Sequence, residues 1–473
     1  MRVSLCMIVK NEQADLPSCL ASVADLVDEI VVVDTGSTDT TREIAARYGA
    51  RIVDFAWCDD FAAARNESLR HATGEWIFWL DADDRIDDTN RAKLRTLCAG
   101  LRDEHVGYLM RCLCPLDGAG LAIAGAHVRL FRRRPDVRWR HRVHEDIVPA
   151  LQETGATIRP TDIVITHAGY RDPAERRRKM ERNLRLLLLR AAEGTPEAAL
   201  VLDIGSHHLQ LQRPEEAREY ARRAVALAEP GTETARSAYG LLVQSHRALG
   251  RPTEAQAVCE AGLAAFPDDT ELLFHLAELR GEAGDAAGAE ACLVHLLATL
   301  PPPDRRSALV AIRGADAHYL LATLYARQGR WAEATAQYRA TVAERPDLAC
   351  AWAALGELYL HQGMWAELHQ VLQRLDALGP AAAADAATLR ALWWLAQGQA
   401  TLARRILEDA AARHPHAPGP RLALAQLQQL SQPPGAAGEW APSLTDPSTA
   451  QTSFNEPTSA GPPGLAYAPP RKP

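Results

Sequence analysis

The sequence predicts two architectures in series, an α/β domain over residues 1–170 and an all-α array of helical hairpins over residues 196–430. Two observations carry that division. In the first part, short apolar runs ending in polar clusters alternate with amphipathic helical stretches. In the second, a block of sequence returns at a fixed interval. A chain of 473 residues also exceeds one ordinary core, so more than one domain is expected. Residues 171–195 are expected to form a connecting helix, and the proline-rich stretch 431–473 to be disordered.

Val3 to Val9 reads as the first strand and Ile30 to Val33 as the second. Between them, Ala14 to Ala24 places apolar residues at helical spacing, as a crossover helix between parallel strands does. Thr40 to Tyr48 repeats the pattern until Gly49 stops it, and Arg51 to Phe55 gives a third strand. Ala62 to His71 is the next helix, ending near Gly74. Trp76-Ile77-Phe78-Trp79-Leu80 is then apolar at every position, the pattern of a strand buried on both faces.

Beyond residue 196, Gln328-Gly329-Arg330-Trp331-Ala332-Glu333 recurs as Gln362-Gly363-Met364-Trp365-Ala366-Glu367, a shift of 34 residues. The same shift carries Leu321 to Leu355, Tyr325 to Tyr359 and Pro346 to Pro380. Weaker copies align around Gly205, Leu242, Leu276 and Gly398, giving about six units with Arg421 to Leu430 as a capping helix. Pro301 to Pro303 lengthens one junction.

Composition excludes several classes. At 47% hydrophobic and 24% charged residues, the chain is neither wholly disordered nor fibrous. A net charge of −8 argues against a nucleic-acid partner. The nine cysteines are scattered without a paired CxxC, as in reduced cytosolic proteins. No apolar run approaches the ~20 residues of a membrane span, and Lys10, Asn11 and Glu12 interrupt the first apolar stretch too early for a signal peptide. A cytoplasmic location is expected. The basic, Leu-rich helix over residues 173–192 either packs on the first repeat or rests peripherally on the inner face of a membrane.

The densest chemistry is Leu80-Asp81-Ala82-Asp83-Asp84, directly after the buried strand. Alternate side chains of an extended segment point the same way, so Asp81 and Asp83 can converge where open α/β sheets bind ligands. Carboxylates so close repel unless a cation such as Mg²⁺ or Mn²⁺ joins them; the competing reading is an acidic turn that caps the next helix. Asp34 ends the second strand ahead of Thr35-Gly36-Ser37-Thr38-Asp39, placed to accept hydrogen bonds from a base or ribose, while Asp39 suits a helix cap. His167 ends a later apolar run, where a lone histidine is either structural or a ligand for metal or diphosphate. Seven arginines crowd residues 129–142, enough to grip a diphosphate, a phosphorylated sugar or a lipid headgroup, or to form a solvated face.

Taken in order, the strand running into Asn11-Glu12, Val32-Val33-Asp34 with Gly36-Ser37 and Asp39, and Leu80-Asp81-Ala82-Asp83-Asp84 resemble family 2 glycosyltransferases of the GT-A fold. Ala64-Arg65-Asn66, Val143-His144-Glu145 and Thr166-His167-Ala168-Gly169-Tyr170 look like the bacterial branch that includes lipopolysaccharide-core glucosyltransferases and peptide S-glycosyltransferases. The 34-residue unit resembles the tetratricopeptide repeat. The resemblance implies a GT-A-type nucleotide-diphospho-sugar transferase domain followed by a tetratricopeptide solenoid.

It further implies a hexosyltransferase of bacterial cell-surface glycans, inverting and dependent on Mg²⁺ or Mn²⁺, acting on a saccharide, lipid-linked or peptide acceptor. Asp34, Asp81, Arg65 and Asn66 would bind donor, and Asp83, Asp84 and His167 the metal. Glu145 would take the acceptor proton, against the alternative of a surface glutamate in an Arg-rich loop. The repeats would hold acceptor or another protein. The rival expectation is a non-catalytic scaffold whose repeats recruit partners while the α/β domain binds nucleotide.

Overall fold

The structure, a computed structural model, describes residues 1–115, 122–167, 173–301 and 308–430. The expectations for 431–473, for Pro302 and Pro303, and for Ala168 to Tyr170 lie outside these residues. Two compact units are present, one ending at Ala228 and the other beginning at Glu229.

Among the described residues the first unit is built on eight strands: β1 (Val3–Val9), β2 (Glu29–Asp34), β3 (Arg51–Asp54), β4 (Trp76–Trp79), β5 (Asp84–Arg85), β6 (Val106–Pro115), β7 (Ala122–Arg132) and β8 (Thr157–His167). They lie in the order β3-β2-β1-β4-β7-β6-β8-β5. β1 runs parallel to both β2 and β4, and β2 parallel to β3. β7 is antiparallel to β4 and to β6, extending the sheet. Because β1 is flanked by β2 on one side and β4 on the other, a crevice opens at the carboxyl ends of these strands, where such sheets bind ligands.

Helices α1 (Leu16–Ala21), α2 (Thr41–Arg47), α3 (Phe61–His71), α4 (Asp88–Gly100) and α5 (Val148–Glu153) complete the α/β layers. Buried apolar residues on both sheet faces hold them, Leu5, Phe78 and Leu94 in one cluster and Ile77, Phe131 and Leu151 in another. Asp60 accepts from the Ala63 N–H and Asp87 from the Asn90 N–H, capping α3 and α4. The helix expected over 14–24 is shorter. The Ser22 hydroxyl donates to the Cys19 carbonyl at 2.7 Å, α1 stops at Ala21, and a 3₁₀ turn follows.

Helices α6 (Pro173–Ala192), α7 (Ala198–Gln210) and α8 (Pro214–Leu227) also belong to the first unit. Leu184, Leu186 and Leu187 of α6 pack with Leu200 and Ile204 of α7 around Val143. So Leu184, Leu186 and Leu187 of the basic helix are covered by the first hairpin, while Leu188 and Leu189 stay exposed.

The second unit contains α9 (Glu233–Ala248), α10 (Pro252–Ala265), α11 (Thr270–Glu282), α12 (Ala286–Thr299), α13 (Ala308–Arg327), α14 (Trp331–Glu344), α15 (Ala349–His361), α16 (Trp365–Ala377), α17 (Ala383–Ala396), α18 (Ala400–Arg413) and α19 (Pro418–Leu430). Consecutive helices pair as hairpins. The residues that recur at 34-residue spacing explain the repeat: Leu321, Tyr325, Leu355 and Tyr359 are all buried in one apolar cluster. Gly329 (φ 73°) and Gly363 (φ 69°) take the same left-handed conformation at successive hairpin turns.

Candidate active site

The acidic turn after β4 is half-buried at Asp81 and Asp83 and fully buried at Asp84, and its charges are shared among specific partners. Asp84 is 0% exposed. Its Oδ2 accepts from Arg129 Nη1 at 2.8 Å and from the Asp81 N–H at 2.9 Å, while Oδ1 lies 2.9 Å from His167 Nδ1. The pairing of β5 with β8 sets Asp84 opposite His167. Asp83 Oδ1 is 3.3 Å from the same histidine nitrogen, and Oδ2 is 3.8 Å from Lys179 Nζ on α6. Asp81 Oδ1 accepts from Arg65 Nη2 at 2.8 Å.

Arg65 is the hub. It is 7% exposed, lies 4.3 Å from the Trp79 ring centre and 5.2 Å from that of Trp139, and its Nε donates to Glu145 Oε1 at 2.7 Å. One guanidinium therefore joins the acidic turn to Glu145. Arg129 lies over the Trp79 ring as well, at 3.7 Å. Asn66, the next residue on α3, spends its amide on the backbone of Trp139. It donates to the carbonyl and accepts from the N–H, both at 2.9 Å.

The segment carrying Glu145 is closed by reciprocal backbone bonds between Arg140 and Asp146 at 3.0 and 3.1 Å. Inside it, His141 (φ 75°) and His144 (φ 54°) adopt left-handed backbone, which costs ~1 kcal/mol or more each and persists only where surroundings enforce it. The surroundings are visible. Arg142 donates to Glu193 and to the Asp59 carbonyl, the Arg142 carbonyl accepts from the Phe61 N–H, and His144 Nδ1 lies 3.3 Å from Asp203 on α7.

The electrostatics follow from this geometry. Burial pushes the Asp81 carboxyl up, but the Arg65 and Arg129 charges outweigh it and hold the group well below the usual range. Burial also pushes Asp83 up; His167 opposes, and the Asp81 and Asp84 charges reinforce the rise. Burial disfavours the His167 cation, yet the Asp84 hydrogen bond and the Asp83 charge lift it to about 9. Glu12, which follows β1, is pushed up to about 7 by burial and by Asp83.

Asp34 lies at the tip of β2, 3% exposed. Its carboxylate accepts from the Ser37 N–H and, at 2.8 Å, from Arg42, which also pairs with Asp54. Burial would raise it; these bonds hold it below its ordinary value. Asp39 accepts from the Thr41 N–H at 3.0 Å and from the Gln13 N–H at 3.2 Å; the N-cap position of α2 is Thr40, so the position expected for Asp39 falls to its neighbour.

The structure thus brings together Asp81, Asp83, Asp84, His167, Arg65 and Glu145, and turns Asn66 toward the backbone of Trp139. Sequence reasoning missed Arg129 as the buried counter-ion of Asp84, because Arg129 reads there as one of seven clustered arginines. The available signal was its place inside β7, where the apolar neighbours Val128, Leu130 and Phe131 demand burial.

Oxygens of Asp81 and Asp84 and a nitrogen of His167 lie within 4.8 Å of one another. Two carboxylates and an imidazole suit a hard or borderline divalent cation. Asp83 Oδ1, 3.3 Å from the same histidine nitrogen, adds a third carboxylate beside this set, so the residues fit one.

Residues 4–97 match glycosyl transferase family 2, spanning β1 to α4 and thus Asp34, Arg65, Asn66 and the acidic turn. Residues 236–279 and 319–383 match tetratricopeptide repeats. A TPR repeat-containing protein of Synechococcus elongatus is 40% identical over 43% of this chain and 51% of its own length. The SPbeta prophage-derived glycosyltransferase SunS of Bacillus subtilis is 28% identical over 46% of this chain and 52% of its own. The lipopolysaccharide core biosynthesis glycosyltransferase LpsC of Rhizobium meliloti is 33% identical over 31% of this chain and 57% of its own. The chain spans about half the length of these relatives. It carries a family 2 glycosyltransferase domain at its N-terminus and tetratricopeptide repeats toward its C-terminus.

Proposed function

We propose that the chain is an inverting glycosyltransferase that moves a hexose from a nucleotide-diphosphate donor to a saccharide, lipid-linked or peptide acceptor. The observation that carries this reading is the Arg65 bridge. It sets Glu145 beside the acidic turn at the carboxyl end of β4, one carboxylate apart from the group that would face the donor.

In this reading Asp83 and Asp84, with Asp81 and His167, would hold Mg²⁺ or Mn²⁺, which would supply Lewis-acid neutralisation of the diphosphate leaving group. Asp34 accepts from the base or ribose, exchanging its Arg42 contact for the nucleoside. Arg65 and Asn66 shape the donor side of the crevice, Arg65 by fixing Asp81 and Asn66 by fixing Trp139. Among the described residues Glu145 is engaged through Oε1, which leaves Oε2 to take the acceptor's proton as the sugar carbon develops oxocarbenium character. The repeats present acceptor or a protein partner on their surface. Among the described residues no helix is long and apolar enough to cross a membrane; cytoplasmic residence, with peripheral contact at the inner membrane face, is part of the proposal.

The test is a thermal-shift panel of nucleotide sugars with Mg²⁺ or Mn²⁺, since a ligand that binds the native state raises its apparent stability. At least one nucleotide sugar should raise the melting temperature in a cation-dependent way. No shift with any donor would sink the reading.

A further inference from the structure

Four arginines ring a cavity of about 200 Å³ in the first unit. Arg70, Arg133, Arg134 and Arg138 line it with Leu69, Ile77, Phe131 and Val137. The apolar residues are buried and the arginines exposed, so the cavity has an apolar floor and a cationic rim. It lies beside Ile77 near the start of β4, whereas the acidic turn follows the end of that strand.

The rim is not internally neutralised. Arg70 pairs with Glu67 at 2.7 Å and Arg134 with Asp136 at 3.0 Å. Arg133 donates through Nε to the Gly74 carbonyl at 2.7 Å, and Arg138 through Nη1 to the Val137 carbonyl at 3.1 Å. Neither meets a carboxylate among the described residues. Each keeps further N–H donors in the planar fork that matches phosphate oxygens. This local positive surplus stands in a chain whose net charge is −8. An apolar floor lowers the local dielectric and strengthens the attraction for an anion.

We propose that this cavity binds the phosphoryl group of a phosphate ester, separately from the donor crevice. Its volume admits a phosphate with a short organic stub, such as the headgroup end of an anionic phospholipid or a small phosphorylated metabolite. The proposal does not depend on the glycosyltransferase reading.

Two measurements on the full chain test it. In the first, inorganic phosphate is titrated calorimetrically in the presence of EDTA, against the parent, the Arg138→Ser variant and the Arg133→Ser/Arg138→Ser double variant. Circular dichroism checks their fold. In the second, the same proteins are floated with vesicles of phosphatidylglycerol or of phosphatidylcholine. Saturable phosphate binding by the parent should weaken by about tenfold or more in the double variant and by a smaller factor in Arg138→Ser, which gives up only a contact to its neighbour's carbonyl. Flotation with phosphatidylglycerol alone, lost in the variants, assigns the site to a lipid headgroup; phosphate binding without flotation assigns it to a soluble ester. No saturable binding by the parent, or equal binding by parent and folded variants, overturns the proposal.

Discussion

Arg65 holds two carboxylates with one guanidinium between two indoles, so its replacement separates structural from catalytic effects. Arg65→Ala removes the counter-ion of half-buried Asp81 and Glu145 and opens a void beside Trp79 and Trp139. Breaking a fully buried pair from one side costs ~3–5 kcal/mol; Asp81 is partly exposed and keeps Arg129 at 4.0 Å, so urea unfolding of the variant should show a measurable loss below that range, and a loss near zero would mean that the bridge contributes nothing to the fold. Glu145→Gln keeps the shape and should slow sugar transfer by about 10² or more while donor affinity stays level. An unchanged transfer rate, measured where chemistry limits, passes the base role to another group.

At the scale of elements, the segment 140–146 depends on α7, because His144 meets Asp203 and Val143 packs with Leu200 and Ile204. Asp203→Ala should therefore lower the transfer rate with little change in donor affinity, measured by steady-state kinetics beside donor calorimetry. A rate equal to the parent's would show that the segment holds its conformation without this contact. In the second unit, α15 carries Glu357, whose Oε2 is buried without a hydrogen-bond partner. Burial, reinforced by Asp385 on α17, pushes its carboxyl from 4.5 up to about 8. The folded state then keeps a proton that the unfolded chain has released. Stability contributed by this group is present at low pH and is lost as pH rises from about 4.5 through about 8. Thermal unfolding of the second unit should move to lower temperature between about pH 5 and about pH 8, and Glu357→Gln should flatten that slope. An equal slope in both proteins would remove Glu357 as the cause.

The elements also differ in how legible they are. β1 to β4 were readable because buried parallel strands write near-continuous apolar runs, as in Trp76 to Leu80. The hairpin β6–β7 was not. Arg111, His127 and Arg129 interrupt its pattern, and the charge on Arg129 is answered by Asp84, a partner 45 residues away that no local spacing reveals. For the same reason the seven clustered arginines look alike in sequence but separate in space. Arg129 is buried on Asp84, Arg140 and Arg142 pair with Glu153 and Glu193, and Arg133 and Arg138 line a cavity. The acidic turn was legible as a cluster; the Arg65 link to Glu145 was not.

For the molecule as a whole, the compact unit that carries the crevice ends at Ala228. A fragment of residues 1–228 should stay folded and bind donor, whereas one ending at residue 195 loses Leu200, Ile204 and Leu211 from the cluster around Val143 and should unfold at a lower temperature. If the repeats hold acceptor, the longer fragment should still hydrolyse donor slowly while transfer to acceptor fails, because the two reactants are no longer positioned together. Undiminished transfer would confine acceptor recognition to the first unit. The central claim, that the acidic turn binds a nucleotide-diphosphate sugar through a divalent cation, is tested most directly by calorimetry. Donors are titrated into the full chain and its Asp83→Asn variant, with Mn²⁺ and again with EDTA. The account predicts binding by the parent that needs Mn²⁺ and is lost in the variant despite a native circular dichroism spectrum; equal binding by both proteins, or binding indifferent to the cation, would contradict it.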